Sequence, residues 1–439
     1  MIDATPLTGF IELIFLTILA FLSVPIAFSM GIVGIIAALL YWGKIGTGIT
    51  LAGATAWTNM YSYELCTLPI FIAMGTVIAA SGLGRDAYEC FYKWLCKVRG
   101  GLATITTLTC GLFGSITGST VSTIAAIGGM ANPEMRRYGY DVKLRLGSIA
   151  TAGCLAALIP PSIWAIVYCV LVEESIGRVF MAILVPGIIL TLLYASTIYI
   201  WARLKPDIAP LVEENFSFKE KVKSLKGPVP ILLIFAIMLW GIYTGIFSPT
   251  EAASIGFVLA VVITISYRRL TWQKFKSAMV DTLKINSMIM LIIMAAFLFT
   301  YTISISGLGD TIRDQIVGLG AGPILSMFIM SFVFIVLGCF LDAWAIMVLF
   351  IPLFYPTVLS LGFDSVWYGA LCVLLIEVAM ITPPIAAHIY VAQTLEPDTP
   401  TLEVIKGVLP FYGATIILIV LLIVFPQIAM FLPNMMAGY

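Results

Sequence analysis

Two long apolar stretches, 142–172 and 365–395, are each interrupted in mid-run by a double proline, Pro160-Pro161 and Pro383-Pro384. Proline has no N–H and its ring clashes with the preceding turn, so two in succession unwind a helix. Each stretch is long enough to cross a bilayer once, at about 20 residues per ~30 Å of hydrocarbon. Unwound backbone at that depth is tolerated only where it is buried in protein or lines a cavity. That places the breaks inside a membrane protein rather than on its lipid face. Composition agrees: of 439 residues, 61% are hydrophobic and 10% charged, against about 25% charged in soluble domains.

The other apolar runs complete an all-α polytopic pattern. Residues 9–43 are too long for one crossing and are interrupted at Pro25, and 229–267 divide at Ser248-Pro249-Thr250. Simple spans are expected at 61–80, 178–202, 284–304 and 404–430. Residues 101–135 and 321–360 carry the mid-run interruptions Gly114-Ser-Ile-Thr-Gly-Ser119 and Gly338-Cys-Phe-Leu-Asp342. Each arm of the first is about 15 residues, or ~22 Å of helix, too short to cross. A re-entrant helical hairpin is therefore expected in both places. No basic segment precedes the first apolar run and no cleavage site follows it, so no removable signal peptide is expected.

The chain also repeats itself. Ser81-Gly-Leu-Gly84 recurs as Ser306-Gly-Leu-Gly309, and a shift of 223 carries Pro133, Gly139, Asp141, Pro160 and Pro161 onto Pro356, Gly362, Asp364, Pro383 and Pro384. Two halves follow, roughly 1–205 and 228–439, joined by the polar linker 203–227. Five crossings plus a hairpin per half make the second half enter from the opposite side, an inverted-topology repeat. On that count the loops 84–100, 136–145, 203–227, 268–284 and 395–406 share one face and hold 20 of the 23 Lys and Arg, leaving Lys44, Arg178 and Arg313 opposite. The positive-inside rule makes the first face cytoplasmic.

Inverted repeats with paired broken helices point to a secondary transporter that binds at the repeat interface. Freed carbonyls there can hold a cation, and helix N-termini favour an anion. One cation site is expected where tip 114–119 meets 153–161 and a second where tip 338–343 meets 379–384. The hydroxyl-rich tip 114–123 supplies hard oxygens suited to Na⁺. Acids deep in apolar runs are functional candidates. Asp342, in the second tip, could accept backbone N–H groups, cap a half-helix or hold a cation. Glu377 divides evenly between structure and function. His388 could contact a substrate anion, sense pH or simply pack. One histidine excludes multi-His zinc chemistry, and the eight scattered cysteines read as small core hydrophobes. The chain has no P-loop, nucleotide fingerprint or nucleophile motif, and zero net charge, so neither ATP hydrolysis, enzymatic catalysis nor nucleic-acid binding is expected.

Gly114-Ser-Ile-Thr-Gly-Ser119, Pro133-Glu-Met-Arg-Arg-Tyr-Gly-Tyr-Asp141, Leu158-Ile-Pro-Pro-Ser162, Pro186-Gly187, Ser248-Pro-Thr-Glu251, Gly338 through Asp342 to Pro352 and Pro356, Gly362-Phe-Asp364 and Ile381-Thr-Pro-Pro384 together resemble the large membrane (M) subunit of TRAP transporters, the DctM-like family. The likeness runs over nearly the whole chain. It implies Na⁺-driven import of an organic acid anion across the cytoplasmic (inner) membrane by an elevator motion. It also implies two protein partners, a small four-helix membrane subunit (Q type) and a periplasmic substrate-binding protein (P type). Carried over, scaffold helices would occupy 1–83, 176–308 and 398–439, and a transport domain 84–175 and 309–397. Cation ligands would come from the neighbourhoods of Ser115, Thr117, Ser119, Gly153, Pro160, Gly338, Asp342, Thr382 and Pro383. Substrate contacts would come from Ser119, Ser122, Ser162, Asp342 and His388. Where the family often has Gly-Gly-Thr-Leu-Gly this chain has Ala152-Gly-Cys-Leu-Ala156, and in place of Val-Gly-Leu-Asn it has Ile385-Ala-Ala-His388. A stand-alone Na⁺/dicarboxylate symporter needing no binding protein is the alternative reading.

Overall fold

The computed structural model describes residues 3–43 and 45–436, so Lys44 of the charge argument lies outside the described residues. All regular structure within them is helical. Helices α1 (Pro6–Phe21) and α2 (Ile26–Trp42) divide before Pro25, and α3 (Ile45–Met60) leads to α4 (Thr67–Ser81). Helix α3 was not anticipated, because its Gly- and Thr-rich sequence has weak helical signal. Next come α5 (Leu83–Leu95), α6 (Gly101–Thr117) and α7 (Thr120–Arg137). The first broken segment is α8 (Val142–Ala152), α9 (Leu155–Leu158) and α10 (Ile163–Val172), and α11 (Ile176–Leu204) ends the half. The linker carries a 3-10 turn, Pro206–Ile208, and the short α12 (Phe218–Ser224), which opens on a reciprocal cap between Ser217 and Glu220. Those hydrogen bonds from Ser217 hold the exposed Glu220 carboxyl below its ordinary pKa.

The second half runs α13 (Val229–Tyr243), α14 (Pro249–Ser266), α15 (Trp272–Ser306), α16 (Leu308–Gly318), α17 (Pro323–Gly338) and α18 (Ala343–Ser360). Its broken segment is α19 (Ser365–Ile381) with α20 (Ala387–Gln393), and α21 (Thr401–Val424) follows. Among the described residues six helices are long and apolar enough to cross a membrane, or up to eight if each of two bent helix pairs counts as one span. The chain is a multi-pass membrane protein.

Three expectations are corrected. The stretches 84–100 and 268–284, read as loops, are largely helical. Helix α5 buries Leu83, Ala87, Tyr88 and Cys90 along one face. Helix α15 starts at Trp272, where the Thr271 side chain accepts from the Lys274 N–H, and no Gly or Pro interrupts it before Gly307. The last span stops at Val424 rather than 430, because Pro426 disfavours helical geometry at Phe425 (φ −125°, ψ 73°).

Matching positions in the two halves fold alike. Ser81 and Ser306 each donate to the carbonyl three residues back and accept from the N–H two residues on. Gly82 and Gly307 follow them at φ 73° and 70°. Asp141 and Asp364 each cap the helix that opens the broken segment. The peptide bonds Pro160-Pro161 and Pro383-Pro384 are both cis.

Candidate functional site

The first hairpin turns at Gly118, which takes φ +58° to close α6, and at Ser119, whose extended backbone opens α7. Two close approaches seat this hairpin on the first broken segment. A Cβ on Gly114 would stand 2.5 Å from Ala156, and one on Gly118 would stand 2.9 Å from the Pro161 carbonyl oxygen. The tip thus rests on the backbone that the double proline unwinds. The segment bends by 45° there, and it also breaks once more, at Gly153-Cys154, a second interruption that sequence did not single out.

The expected oxygen donors gather at this junction. Ser115 Oγ donates to the Leu112 carbonyl (2.7 Å) and Thr117 Oγ1 shares a 3.0 Å hydrogen bond with Thr123 Oγ1. Their protons are used within the hairpin, which leaves oxygen lone pairs. Ser119 Oγ bonds Ser122 Oγ (3.0 Å), and both residues are half-buried. Ser162, fully buried, caps α10 by accepting from Ala165 N–H. Gly153 faces the Ile124 side chain of α7. Hydroxyls and carbonyls of this kind suit a hard cation and offer nothing to a soft one.

The second junction repeats the first with a difference. A Cβ on Gly338 would meet Ala379 at 2.6 Å; Ala379 is the counterpart of Ala156 at a shift of 223, and Gly338 falls on Ser115, one residue beyond Gly114. Asp342 takes the position of Ser119, capping α18 by accepting from Trp344 N–H at 3.1 Å. Thr382 Oγ1 donates to the Val378 carbonyl (2.6 Å). Yet Asp342, Pro383 and Pro384 are exposed, whereas Pro160 and Pro161 are buried. Indole rings of Trp164 and Trp344, 4.3 Å apart, tie the first broken segment to the second hairpin.

The two broken segments also pack against each other, end to beginning. At one end Arg145, nearly buried, donates two hydrogen bonds to Glu396 (2.9 and 3.2 Å). At the other, Ser365 bonds the Glu174 carboxylate and receives a hydrogen bond from Tyr168 on its carbonyl (2.6 Å). Arg145→Ala is expected to cost about 1–2 kcal/mol, because Glu396 loses its best-placed cation but keeps Arg136 at 3.8 Å and Asn132 at 3.5 Å. Thermal melting in detergent measures this, and Arg145→Ala with Glu396→Gln should recover part of the loss.

Between these ties lies a sealed polar cluster that sequence reading missed as a unit. Cys154, Glu377 and His388 are all 0% exposed. Cys154 Sγ is 3.8 Å from His388 Nδ1, and His388 Nε2 is 3.8 Å from Glu377 Oε2. His388 is therefore enclosed, not on a cavity wall, in this conformation. A signal existed: the shift of 223 maps Cys154 onto Glu377. A cavity of about 690 Å³ lies elsewhere, between α10 and the ends of α4 and α14, with Glu64, Thr67, Glu173, Glu174 and Thr250 on its walls.

With tips seated on breaks in both halves, the comparison with known proteins is decisive. The family profile described as "Tripartite ATP-independent periplasmic transporter, DctM component" matches residues 13–428. The chain belongs to the DctM family. Among curated members it is 31% identical to the C4-dicarboxylate TRAP transporter large permease protein DctM of Pseudomonas aeruginosa, over 85% of this chain and 86% of that one. It is equally identical to the ectoine/5-hydroxyectoine large permease UehC of Ruegeria pomeroyi, over 85% and 86%. Against the isethionate permease DctMQ of Oleidesulfovibrio alaskensis it is 29% identical over 93% of this chain, but that covers only 64% of the longer DctMQ protein. In fold this DctM-family chain is similar to the YdaH transporter of Alcanivorax borkumensis, with a TM-score of 0.59 at 16% identity over 86% and 88% of the two chains. It is also similar to MtrF of Neisseria gonorrhoeae, with a TM-score of 0.56 at 13% identity over 86% and 84%.

Proposed function

We propose that this chain is the large permease subunit of a tripartite importer, moving a small organic acid anion into the cell with Na⁺ as the co-transported ion. The observation that carries this reading is the packing of each hairpin against its own broken segment, Gly118 against the Pro161 carbonyl in the unwound stretch and Gly338 against Ala379 in the last helical turn before it. Oxygens of Ser115, Thr117, Ser119 and Gly153 would receive one cation, and those of Gly338, Asp342, Thr382 and Pro383 a second. The anion would lie between the two junctions, where the N-termini of α7, α10 and α18 supply partial positive charge and Ser119, Ser122 and Ser162 supply hydroxyls. No buried Lys or Arg stands in either tip, so bound Na⁺ completes the neutralisation. That order of charges makes anion binding depend on the cation, which is the physical basis of coupling.

The two halves are read as inverted repeats with re-entrant hairpins, and transport as an elevator motion. Helix α18 has the length and hydropathy of a span, and its Pro352 and Pro356 favour the re-entrant reading. Packing argues for a moving body larger than 84–175 plus 309–397. A Cβ on Gly407 of α21 would stand 2.1 Å from the Lys143 carbonyl of α8, and one on Gly187 of α11 would stand 2.6 Å from the Leu158 carbonyl of α9. On these two contacts we place α11 and α21 with the transport domain; the first hairpin also touches α4, where a Cβ on Gly75 would stand 2.8 Å from the Thr117 carbonyl oxygen, and that contact must break when the body moves. The cavity between α10 and α4/α14 then marks a gap between moving and fixed parts.

Partners follow from the family: a periplasmic receptor that delivers the anion, and a small membrane subunit of the Q type, in keeping with the name of the longer DctMQ relative. Residence in the cytoplasmic (inner) membrane follows from the periplasmic partner. Proteoliposomes holding this chain and its small subunit, under an inward Na⁺ gradient, test the reading with labelled dicarboxylates, sugar acids and sulfonates. Uptake is expected only with both Na⁺ and receptor. Receptor-free uptake would instead indicate a stand-alone symporter, and active uptake indifferent to Na⁺ would remove both cation sites.

A further inference from the structure

We propose that Cys154, His388 and Glu377 form a proton relay sealed between the two broken segments, so that this chain carries a proton as a further coupling ion. Glu377 and His388 are fully buried, and both carboxylate oxygens and His388 Nε2 have no hydrogen-bond partner. An uncompensated carboxylate in a membrane core is among the costliest groups a protein can hold, and such residues mark ion and proton paths. The groups that face the carboxylate are the Cys154 thiol, the Trp164 indole from α10, His388 and, from α11, the Tyr194 phenol. None is a lysine or arginine. Tyr194 is itself engaged, sharing a 2.8 Å hydrogen bond with Thr415 of α21.

The arrangement across the imidazole suits a relay. Sulfur stands at the Nδ1 edge and the carboxylate at the Nε2 edge, each at 3.8 Å, so each ring nitrogen has its own neighbour. One ring nitrogen, the sulfur and a carboxylate oxygen also lie within 4.8 Å of one another, so a chelate is the competing reading that the test must separate. Two proton placements satisfy the cluster. In one, the thiol donates to Nδ1 and an Nε2–H faces the carboxylate. In the other, Nδ1–H points at sulfur, the thiol donates to the Glu377 carbonyl 3.9 Å away, and a bare Nε2 faces a carboxylic acid. The second holds one proton more than the first: a proton taken up from outside the cluster settles on Nδ1 as the thiol rotates away, and the Nε2 proton passes to Glu377. At 3.8 Å that transfer waits for the segments to close toward ordinary hydrogen-bond length, ~3 Å. Cys154 lies on the first broken segment and Glu377 and His388 on the second, so any change in their packing opens or closes the relay. Cys154 is a positioning residue here, because it selects the tautomer.

Passage of the proton across the membrane rests on the transport reading above; its binding does not. The test therefore reads binding alone, by infrared difference spectroscopy of the purified full-length chain in lipid nanodiscs, stepped between acid and alkaline buffer in H₂O and D₂O. A protonated-carboxyl C=O band that responds to pH, shifts in D₂O and vanishes in Glu377→Gln is expected. His388→Gln should move its midpoint by about one pH unit or more. Cys154→Ser, which keeps a donor and an acceptor, should leave the midpoint near that of the natural chain, and Cys154→Ala should not. Glu377→Asp, which retains the carboxyl and displaces the band, makes the assignment should the glutamine variant not fold. A spectrum in which no band depends on residue 377, or in which that band never exchanges with D₂O, overturns the proposal. So does stoichiometric transition metal in the same sample that is lost in Cys154→Ala, since the cluster would then be a chelate.

Discussion

Replacing Gly407 by alanine should destabilise the protein by about 3 kcal/mol or more, because overpacking a contact that cannot move aside has costs of this order. The added Cβ would stand 2.1 Å from the Lys143 carbonyl oxygen and 2.8 Å from its carbon. Across the same contact a Cβ on Gly147 would stand 2.4 Å from the Gly407 carbonyl. Helices α8 and α21 thus meet backbone to backbone, as small residues permit in membranes. The obstacle is main chain, not a flexible side-chain end, so relief requires a whole helix to shift. Gly413, six residues on in the same helix, has nothing within 4 Å of its would-be Cβ. Gly413→Ala should therefore stabilise by up to ~1 kcal/mol through helix propensity. Melting of both variants in one detergent decides the matter, and two shifts of the same sign and size would refute the backbone contact.

Gly118→Ala should raise the Na⁺ concentration for half-maximal uptake roughly tenfold, equivalent to ~1.4 kcal/mol of lost cation binding. Two penalties act at Gly118. Its φ of +58° strains any residue with a Cβ, and that Cβ would stand 2.9 Å from the Pro161 carbonyl oxygen. Gly82→Ala isolates the first penalty: φ is +73° there and nothing lies within 4 Å. Both variants should lose about 1–2 kcal/mol of stability from left-handed backbone, and only Gly118→Ala should change Na⁺ dependence. Equal Na⁺ dependence in the two variants would mean that the tip does not shape a cation site.

Local rules made much of this legible in the chain. Proline pairs announced the unwound segments, and Gly114 through Ser119 announced a turn between two helices, since backbone preferences act over a few residues. The shift of 223 aligned the halves because equivalent turns need the same Gly, Pro and Asp. Helix α5 and the start of α15 escaped notice because charged residues interrupt the apolar face on which they pack, and α3 because its Gly and Thr weaken the helical signal. The ties Arg145–Glu396 and Glu174–Ser365 were beyond reach for another reason. They join residues far apart in sequence, and nothing local to either residue names its partner. Cys154 illustrates both limits: it reads as a core hydrophobe by type, and only the crossing of the segments brings it to His388.

The long helix α15 bears on mechanics. At 35 residues it extends about 52 Å, well beyond the ~30 Å that hydrocarbon occupies. The surplus lies at its N-terminal end, which carries Trp272, Lys274, Lys276 and Lys284, residue types that grip the headgroup region. A body can be displaced along the membrane normal only if something else stays put and takes the recoil. Helix α15 packs beside α2 and α4, so under the elevator motion proposed above its anchored end would act as a keel, holding those helices at fixed depth against the body that slides past them.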